Sequence, residues 1–363
     1  MNILHTEASL GWGGQEIRLL REACAMKERG HNVVIVVGVG GKLATRARDA
    51  GLPTYEVPFS KPKGFVTLRH LSRIIKKHHI DIINTHSSLD AWLGGIAAKL
   101  NRCKVVRTRH LSTNIRAGLN SIALYKWLAD QVVTTCEFIA AVIRDQANIS
   151  IQRCRSVPTG LEPSQIAVTA ADGKAFREEH GIKSEDIVIG TLCVVRRWKG
   201  IADMVDAANI LKEDPRLKWV IVGEGPSLHL YQEQVENLGL KDRVLFVGHK
   251  ENPYPAVAAM DIFTLLSTGH EGVSQASLQA AYLGKPMVTT LTGGLGEVCL
   301  DGITGYNVDN HSPEQVAEAV AKLVNNIDER KTFGQKATDL VKKSFLWDKT
   351  INDMEKVYSK CLS

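Results

Sequence analysis

No apolar run in this chain of 363 residues reaches the ~18 needed to span a bilayer, so a membrane-crossing helix is not expected. The opening Met1-Asn-Ile-Leu-His5 lacks the basic start and long apolar core of a secretory leader, which makes a cytoplasmic location the expectation. Cysteine is sparse and scattered. Cys24, Cys103, Cys136, Cys154, Cys193, Cys299 and Cys361 form no C-x-x-C pair and sit mostly in apolar segments, which argues against a zinc site or a disulfide framework. There is no low-complexity tract, and the only repeat is a general recurrence of strand and helix, too weak for a solenoid. A G-x-G-x-x-G loop after the first strand is missing too. Gly38-Val-Gly40-Gly41 follows the second strand instead, which argues against a nicotinamide-dependent dehydrogenase.

The remaining composition is ordinary for a soluble globular protein: 44% hydrophobic, 23% charged, 30 glycines. The length suits two domains, each able to bury its own core. Charge is uneven. Residues 1–165 carry 23 Lys/Arg against 12 Asp/Glu, and the remainder carries 22 against 27. A basic half joined to an acidic half implies a different partner for each, and nucleic acid is not expected as either. Lys61, Lys63, Arg69, Arg73, Lys76 and Lys77 alternate with Phe65, Val66, Leu68, Leu71, Ile74 and Ile75. Such a helix can rest on an anionic membrane surface or be an ordinary surface helix with solvated lysines.

Strand and helix signals alternate from end to end. Residues 2–6, 33–37, 81–85, 104–108 and 131–134 read as short strands separated by helical patterns at 15–29, 67–78, 90–100 and 121–129. Near-continuous apolar strands in such alternation predict a parallel sheet covered on both faces. The pattern restarts with strands at 187–194, 219–222, 244–247, 262–266 and 287–290 and helices at 201–212, 227–238, 274–283 and 313–325. The predicted fold class is therefore α/β, with doubly wound sheets in two domains, 1–165 and 166–345. Turn formers in Val157–Pro163 and small residues in Ala167–Gly173 mark the boundary.

The most informative stretch is Glu271-Gly-Val-Ser-Gln-Ala-Ser-Leu-Gln279 with Gly284-Lys-Pro286 after it. It reads as a loop entering a helix, with Ser274 as N-cap. A helix start behind a glycine-bearing loop cradles phosphate, and Glu271 beside it can accept hydrogen bonds from sugar hydroxyls. Gly11-Trp-Gly13-Gly14 lies between the first strand and first helix, where glycines admit a phosphate or sugar close to the backbone. Arg196-Arg-Trp-Lys199-Gly200 ends a strand and opens a helix; cations there are unfavourable for the helix itself and favour a charge-stabilising role. Val222-Gly223-Glu-Gly225-Pro226 and Val244–His249, with Gly248, follow the next two strands. Thr85-His86-Ser87 and Arg107-Thr-Arg109-His110 end strands of the first domain, with Arg116 nearby.

These ordered motifs resemble the retaining glycosyltransferases of family 4, which have the GT-B fold of two Rossmann-like domains facing across a cleft. The resemblance spans nearly the whole chain and is strongest from Arg196 to Gly305. It implies transfer of a hexosyl group from a nucleotide diphosphate sugar, such as a UDP sugar, to a glycan or lipid-linked acceptor. By it, Glu271, His110, Lys199 and Arg196 are expected to be catalytic. Gly13, Gly14, Gly223, Gly225, Gly248, Gly272, Val273, Ser274 and Gln279 are expected to bind the donor, and His86, Arg109 and Arg116 to lie on the acceptor side. The final helix, 346–363, is expected to cross back onto the first domain. Two positions depart from the family: Gln279 stands where it has Glu, and Val194 where its Arg more usually lies. No D-x-D motif precedes a strand end, so neither a metal nor another cofactor is expected. Lipopolysaccharide or cell-surface polysaccharide synthesis at the inner membrane is the implied setting. An epimerase of the same fold, or a non-catalytic GT-B binding protein, is the alternative.

Overall fold

The computed structural model describes every residue except Lys61, Leu111, Asn114 and Arg116. The chain divides into two compact units, Met1–Thr159 with Asp348–Ser363, and Gly160–Trp347. In the first, β1 (Asn2–Glu7), β2 (Asn32–Gly38), β3 (Thr54–Val57), β4 (Ile82–Thr85), β5 (Lys104–Arg109), β6 (Gln131–Thr134) and β7 (Cys154–Ser156) form one sheet. Its order is β3-β2-β1-β4-β5-β6-β7, every pairing parallel. The crossovers are α1 (Gly14–Glu28), α2 (Leu43–Asp49), α3 (Gly64–Lys77), α4 (Ser88–Leu100), α5 (Leu119–Ile122) and α6 (Glu137–Ala147). Helices cover both faces, which is why Val33–Val37 is apolar without alternation and at most 4% exposed.

The C-terminal helix, Trp347–Leu362, packs its later turns into this first unit. Buried Tyr358 donates its hydroxyl hydrogen to Glu22 and accepts from Asn84 Nδ2 at 2.7 Å. Nearer the surface Glu355 takes Arg29 at 2.6 Å and His31 at 2.8 Å.

The second unit repeats the plan. Helix α7 (Ala170–Glu179) precedes β8 (Ile187–Leu192), α8 (Ile201–Ile210), β9 (Leu217–Val222), α9 (Leu228–Asn237) and β10 (Val244–Phe246). Then come α10 (Tyr254–Ala259), β11 (Ile262–Leu265), α11 (Gln275–Tyr282), β12 (Met287–Thr290), β13 (Gly305–Val308), α12 (Pro313–Asn325) and α13 (Ile327–Ser344). The sheet runs β10-β9-β8-β11-β12-β13, again all parallel. Strand order thus reverses between β1 and β4 in one unit and between β8 and β11 in the other. In such sheets ligands bind outside the carboxyl strand ends at that reversal.

Two segments differ from the sequence-based expectation. The stretch 167–173, predicted as linker, is helical from Ala170, because Thr169 and Asp172 form a reciprocal capping box, with the Thr169 N–H donating to Asp172 at 2.7 Å. The single helix predicted over 121–129 is instead α5 followed by a wider π-helical turn, Ala123–Leu128, whose Leu128 side chain lies against Gly95 of α4. Gly305 opens β13; a Cβ there would stand 2.0 Å from the Met287 carbonyl oxygen, so the strand pairing itself needs glycine.

Candidate functional site

In the second unit the loops at the β8/β11 reversal meet. Beyond β8 the chain passes through Val195 and Arg196 into a 3-10 turn, Arg197–Lys199, and leaves it through Gly200 at φ 67°. A Cβ on Gly200 would lie 2.0 Å from the Leu266 carbonyl oxygen, so glycine is what lets this loop rest on the end of β11. The Thr268 N–H donates to the Trp198 carbonyl at 2.8 Å and fastens the two loops together. Lys199 is thereby delivered to Glu271, and its ammonium pairs directly with the carboxylate. The Ser267 hydroxyl donates to the same oxygen at 2.7 Å. A second glycine supports the acid from behind. Gly293, at φ 60°, would place a Cβ 1.8 Å from the Glu271 carbonyl oxygen, and the Gly294 N–H donates to that oxygen at 3.3 Å.

Three residues beyond Glu271, Ser274 caps α11, accepting from the Ser277 N–H at 3.4 Å; Val273 is buried beneath it and Gly272 half-buried. The first-turn N–H groups and the helix dipole make this end attractive to an anion. One turn on, Gln279 lines a pocket of about 570 Å³ with Leu192, Gly223, His249 and Tyr254. Gly223, at φ 129°, would put a Cβ 1.9 Å from the Cys193 carbonyl oxygen, and its N–H donates to the Gly248 carbonyl at 2.8 Å. Gly225 passes equally close to Val195, 2.3 Å from its carbonyl oxygen for an added Cβ. The three glycines therefore draw the loops after β8, β9 and β10 together around the pocket. Val194 lines it as well. Burial pushes the Cys193 thiol up to about 11, so this pocket cysteine stays protonated and is a poor nucleophile.

Arg196 is not part of that cluster. It is exposed, and its guanidinium lies 5.1 Å over the Trp198 ring, whose edge meets His270 at 5.2 Å. Lys199 is the cation that reaches the acid.

In the first unit, Glu7 ends β1 and ties down the glycine loop, accepting from the Ser9 N–H at 2.7 Å and from the Gln15 amide. Burial, with Asp90 nearby, raises its carboxyl to about 7. Gly13 has extended backbone and Gly14 would have nothing within 4 Å of an added Cβ, so the fold itself requires neither to be glycine. At β4, Asp90 accepts the His86 and Ser87 N–H groups, both at 2.8 Å, and the Thr6 hydroxyl at 2.9 Å, fixing the start of α4.

His86 and His110, both predicted for the site, are joined, and His5 of β1 joins them. His5 Nδ1 lies 3.0 Å from His86 Nε2, and His86 Nδ1 lies 2.9 Å from His110 Nε2. Sheet parity could have found His5. It pairs with Asn84, Asn84 pairs with Val106, and the two-residue period then puts His86 and His110, each just past the end of its strand, on the same face as His5. Burial lowers the basicity of all three, His5 to about 3, with Arg18 and Arg107 adding to the effect on His86 and His110.

Arg109 turns inward, donating to Tyr125 Oη at 3.1 Å and to the Thr113 carbonyl at 2.7 Å. With buried Arg107 it lines a cavity of about 370 Å³. Arg116 and Lys61 lie outside the described residues. Among the described residues no helix is long and apolar enough to cross a membrane.

Comparison with known proteins adds relatives. Residues 172–340 match the family of glycosyl transferases group 1, and residues 12–165 match Glycosyltransferase Family 4. The N-acetyl-alpha-D-glucosaminyl L-malate synthase of Bacillus anthracis is 24% identical over 313 residues, covering 84% of this chain and 81% of its own. Anabaena HepE, solved in complex with UDP, superposes with a TM-score of 0.87 at 19% identity over 99% of this chain and 100% of its own. A Rickettsia africae glycosyltransferase superposes with a TM-score of 0.89 at 21% identity over 100% and 98%. At those identities the structures establish the fold, GT-B, with its two Rossmann-like units.

Proposed function

The chain belongs to the group 1 glycosyltransferases, and from that premise we propose that it moves a hexosyl group from a UDP sugar to a hydroxyl of a glycan or lipid-linked acceptor. One observation carries the reading. Within a single unit, a pocket lined by Gln279 lies beside a helix N-terminus at Ser274 and the Lys199–Glu271 pair. A nucleoside fits the pocket, a diphosphate the helix start and the Lys199 ammonium, and a sugar the Glu271 carboxylate. HepE was solved with UDP, which favours uridine as the base.

The chemistry asked of the chain is orientation and charge stabilisation. As the glycosidic bond to the diphosphate breaks, negative charge grows on the leaving phosphate. Lys199 and the α11 N-terminus oppose it, and Arg196 adds a more distant positive field. Glu271 holds the sugar hydroxyls, and its pairing with Lys199 keeps both groups in register before substrate arrives. The leaving phosphate takes the acceptor proton on the face it departs from, so anomeric configuration is retained and no protein nucleophile is needed. No divalent cation enters this scheme. In the first unit, His110 would meet a sugar oxygen, and the loop at Gly13 and Gly14 would admit a phosphate close to its backbone.

A second surface favours work at a membrane. On α3, Phe65 is 73% and Val66 45% exposed, and Lys63, Arg69, Arg73, Lys76 and Lys77 are all exposed. Apolar side chains among cations suit an anionic lipid surface, in keeping with a lipid-linked acceptor and with lipopolysaccharide or polysaccharide assembly. Sedimentation with phosphatidylglycerol vesicles tests this: binding should fall when Phe65 becomes Ser.

The decisive assay for the activity incubates purified protein with UDP and GDP sugars and measures released nucleotide and the anomeric configuration of any product, with and without EDTA. Release from a UDP sugar that is insensitive to EDTA, with a retained anomer, is expected. Conversion of donor to an isomer without acceptor would instead identify an epimerase. Neither turnover nor binding of any donor would leave a non-catalytic member of the family.

A further inference from the structure

The three-histidine row has a consequence for the site that follows from counting protons. Three neutral imidazoles have six ring nitrogens and three N–H hydrogens. Each of the two N···N contacts, at 3.0 and 2.9 Å, holds one hydrogen and no more. The third hydrogen must sit at one end of the row, on His5 Nε2 or on His110 Nδ1. His5 Nε2 is buried without any partner. His110 is half-buried, and no described residue bonds its Nδ1. An orphaned N–H is the rarer and costlier defect inside a protein, whereas a partly exposed N–H finds water or a ligand.

We propose that His86, anchored by His5, is a positioning residue that locks His110 into its Nδ1–H tautomer and so makes its outward nitrogen a hydrogen-bond donor to a substrate oxygen. Every ring then carries its hydrogen on Nδ1. His5 donates to His86 Nε2, His86 donates to His110 Nε2, and His110 Nδ1–H is left pointing out of the row. The row runs diagonally, each histidine two residues beyond the register partner of the one before it, and the rings face one another with centroids 5.2 and 5.1 Å apart. Asp90 fixes the His86 backbone through its N–H, and His5 and His110 hold the ring from either side. Protonating the row is opposed by Arg18 on α1 and Arg107 on β5, while Glu22 on α1 is already engaged by the Tyr358 hydroxyl of the C-terminal helix. The inference rests on the proposed function only for what His110 touches; the tautomer is a property of the protein alone.

Long-range proton–nitrogen spectra of the full chain, labelled with 15N-histidine and assigned through single variants, read the tautomers directly. Wild-type protein at pH 7.5 should show His5, His86 and His110 all as Nδ1–H. His86→Phe should release His110 to a mixture of tautomers. His86→Gln should preserve the Nδ1–H signal of His110, since its amide oxygen can accept from His5 and its amide nitrogen can donate to His110. An Nε2–H signal for His110 in the wild type, or one unchanged by His86→Phe, would overturn the lock. If His86→Phe does not fold, the wild-type and His86→Gln spectra decide the matter. A fixed Nδ1–H signal unmoved by UDP sugars would uphold the lock and count against the proposed role of His110 instead.

Discussion

Lys199 and Glu271, 72 residues apart in sequence, form an ion pair with side chains only 17% and 8% exposed. Such a pair is costly to break from one side, because the survivor is left buried and unmatched. Glu271→Gln keeps an acceptor for the Ser267 hydroxyl while removing the charge. It should cut transfer more than tenfold, about 1.4 kcal/mol of transition-state stabilisation. The pair itself is checked by a thermal-unfolding cycle. Lys199→Met and Glu271→Gln should each lower Tm, and the double variant should lose less than their sum. Strict additivity would mean the two groups do not interact.

The glycines separate into those the fold requires and those it does not. Gly293→Ala should lower Tm by about 5 °C or more, since strain at positive φ and a contact with the Glu271 carbonyl must both be relieved. Gly14→Ala meets nothing within 4 Å and should leave Tm within ~2 °C, yet slow turnover if the open space beside it is where substrate approaches the backbone. Equal turnover in Gly14→Ala and wild type would remove the glycine loop from the site.

Gln279 is expected to act on donor binding alone. On the proposed reading Gln279→Ala should remove one hydrogen bond to the donor nucleoside, roughly 1 kcal/mol, so donor KM should rise about fivefold with kcat unchanged. A fall in kcat at constant KM would place Gln279 elsewhere in the reaction.

His5 and Glu7 give opposite pH dependences. His5 is held neutral by burial, its folded value about 3 against 6.5 unfolded, so its contribution is present above pH 6.5 and is lost as pH falls towards 3. Glu7, raised from 4.5 to about 7, contributes below pH 4.5 and loses that contribution as pH rises through 7. Melting temperatures between pH 7.5 and 5 should therefore fall less in His5→Phe than in wild type. Glu7→Gln should gain stability relative to wild type most clearly above pH 7. Parallel profiles for wild type and both variants would contradict these environments.

Much of this was legible because local chemistry repeats a short pattern. Apolar strands between amphipathic helices announce two parallel sheets, and Ser274 with Gly272 announces a capped helix behind a tight loop. What escaped was whatever depends on distant partners. Lys199 and Glu271 are each visible in a motif, but their pairing depends on Gly200 and Leu266 bringing two loops together. His5 looks like one polar residue in an apolar strand until strand register puts it beside His86. Arg196 is readable only as a stand-in for the family's Arg, whose usual place is taken by Val194, and its guanidinium lies over the Trp198 ring. Thr169-x-x-Asp172 carries a capping signal that the small residues around it mask, since they suggest a linker.

On the proposed function, the second unit holds the nucleotide between Gln279 and Lys199. A crystal of the full chain grown with UDP measures it most directly. The uracil and ribose should lie in the Gln279 pocket, with the diphosphate within hydrogen-bond reach of the Ser274 end of α11 and of Lys199 Nζ. Pyrophosphate density away from both would contradict it.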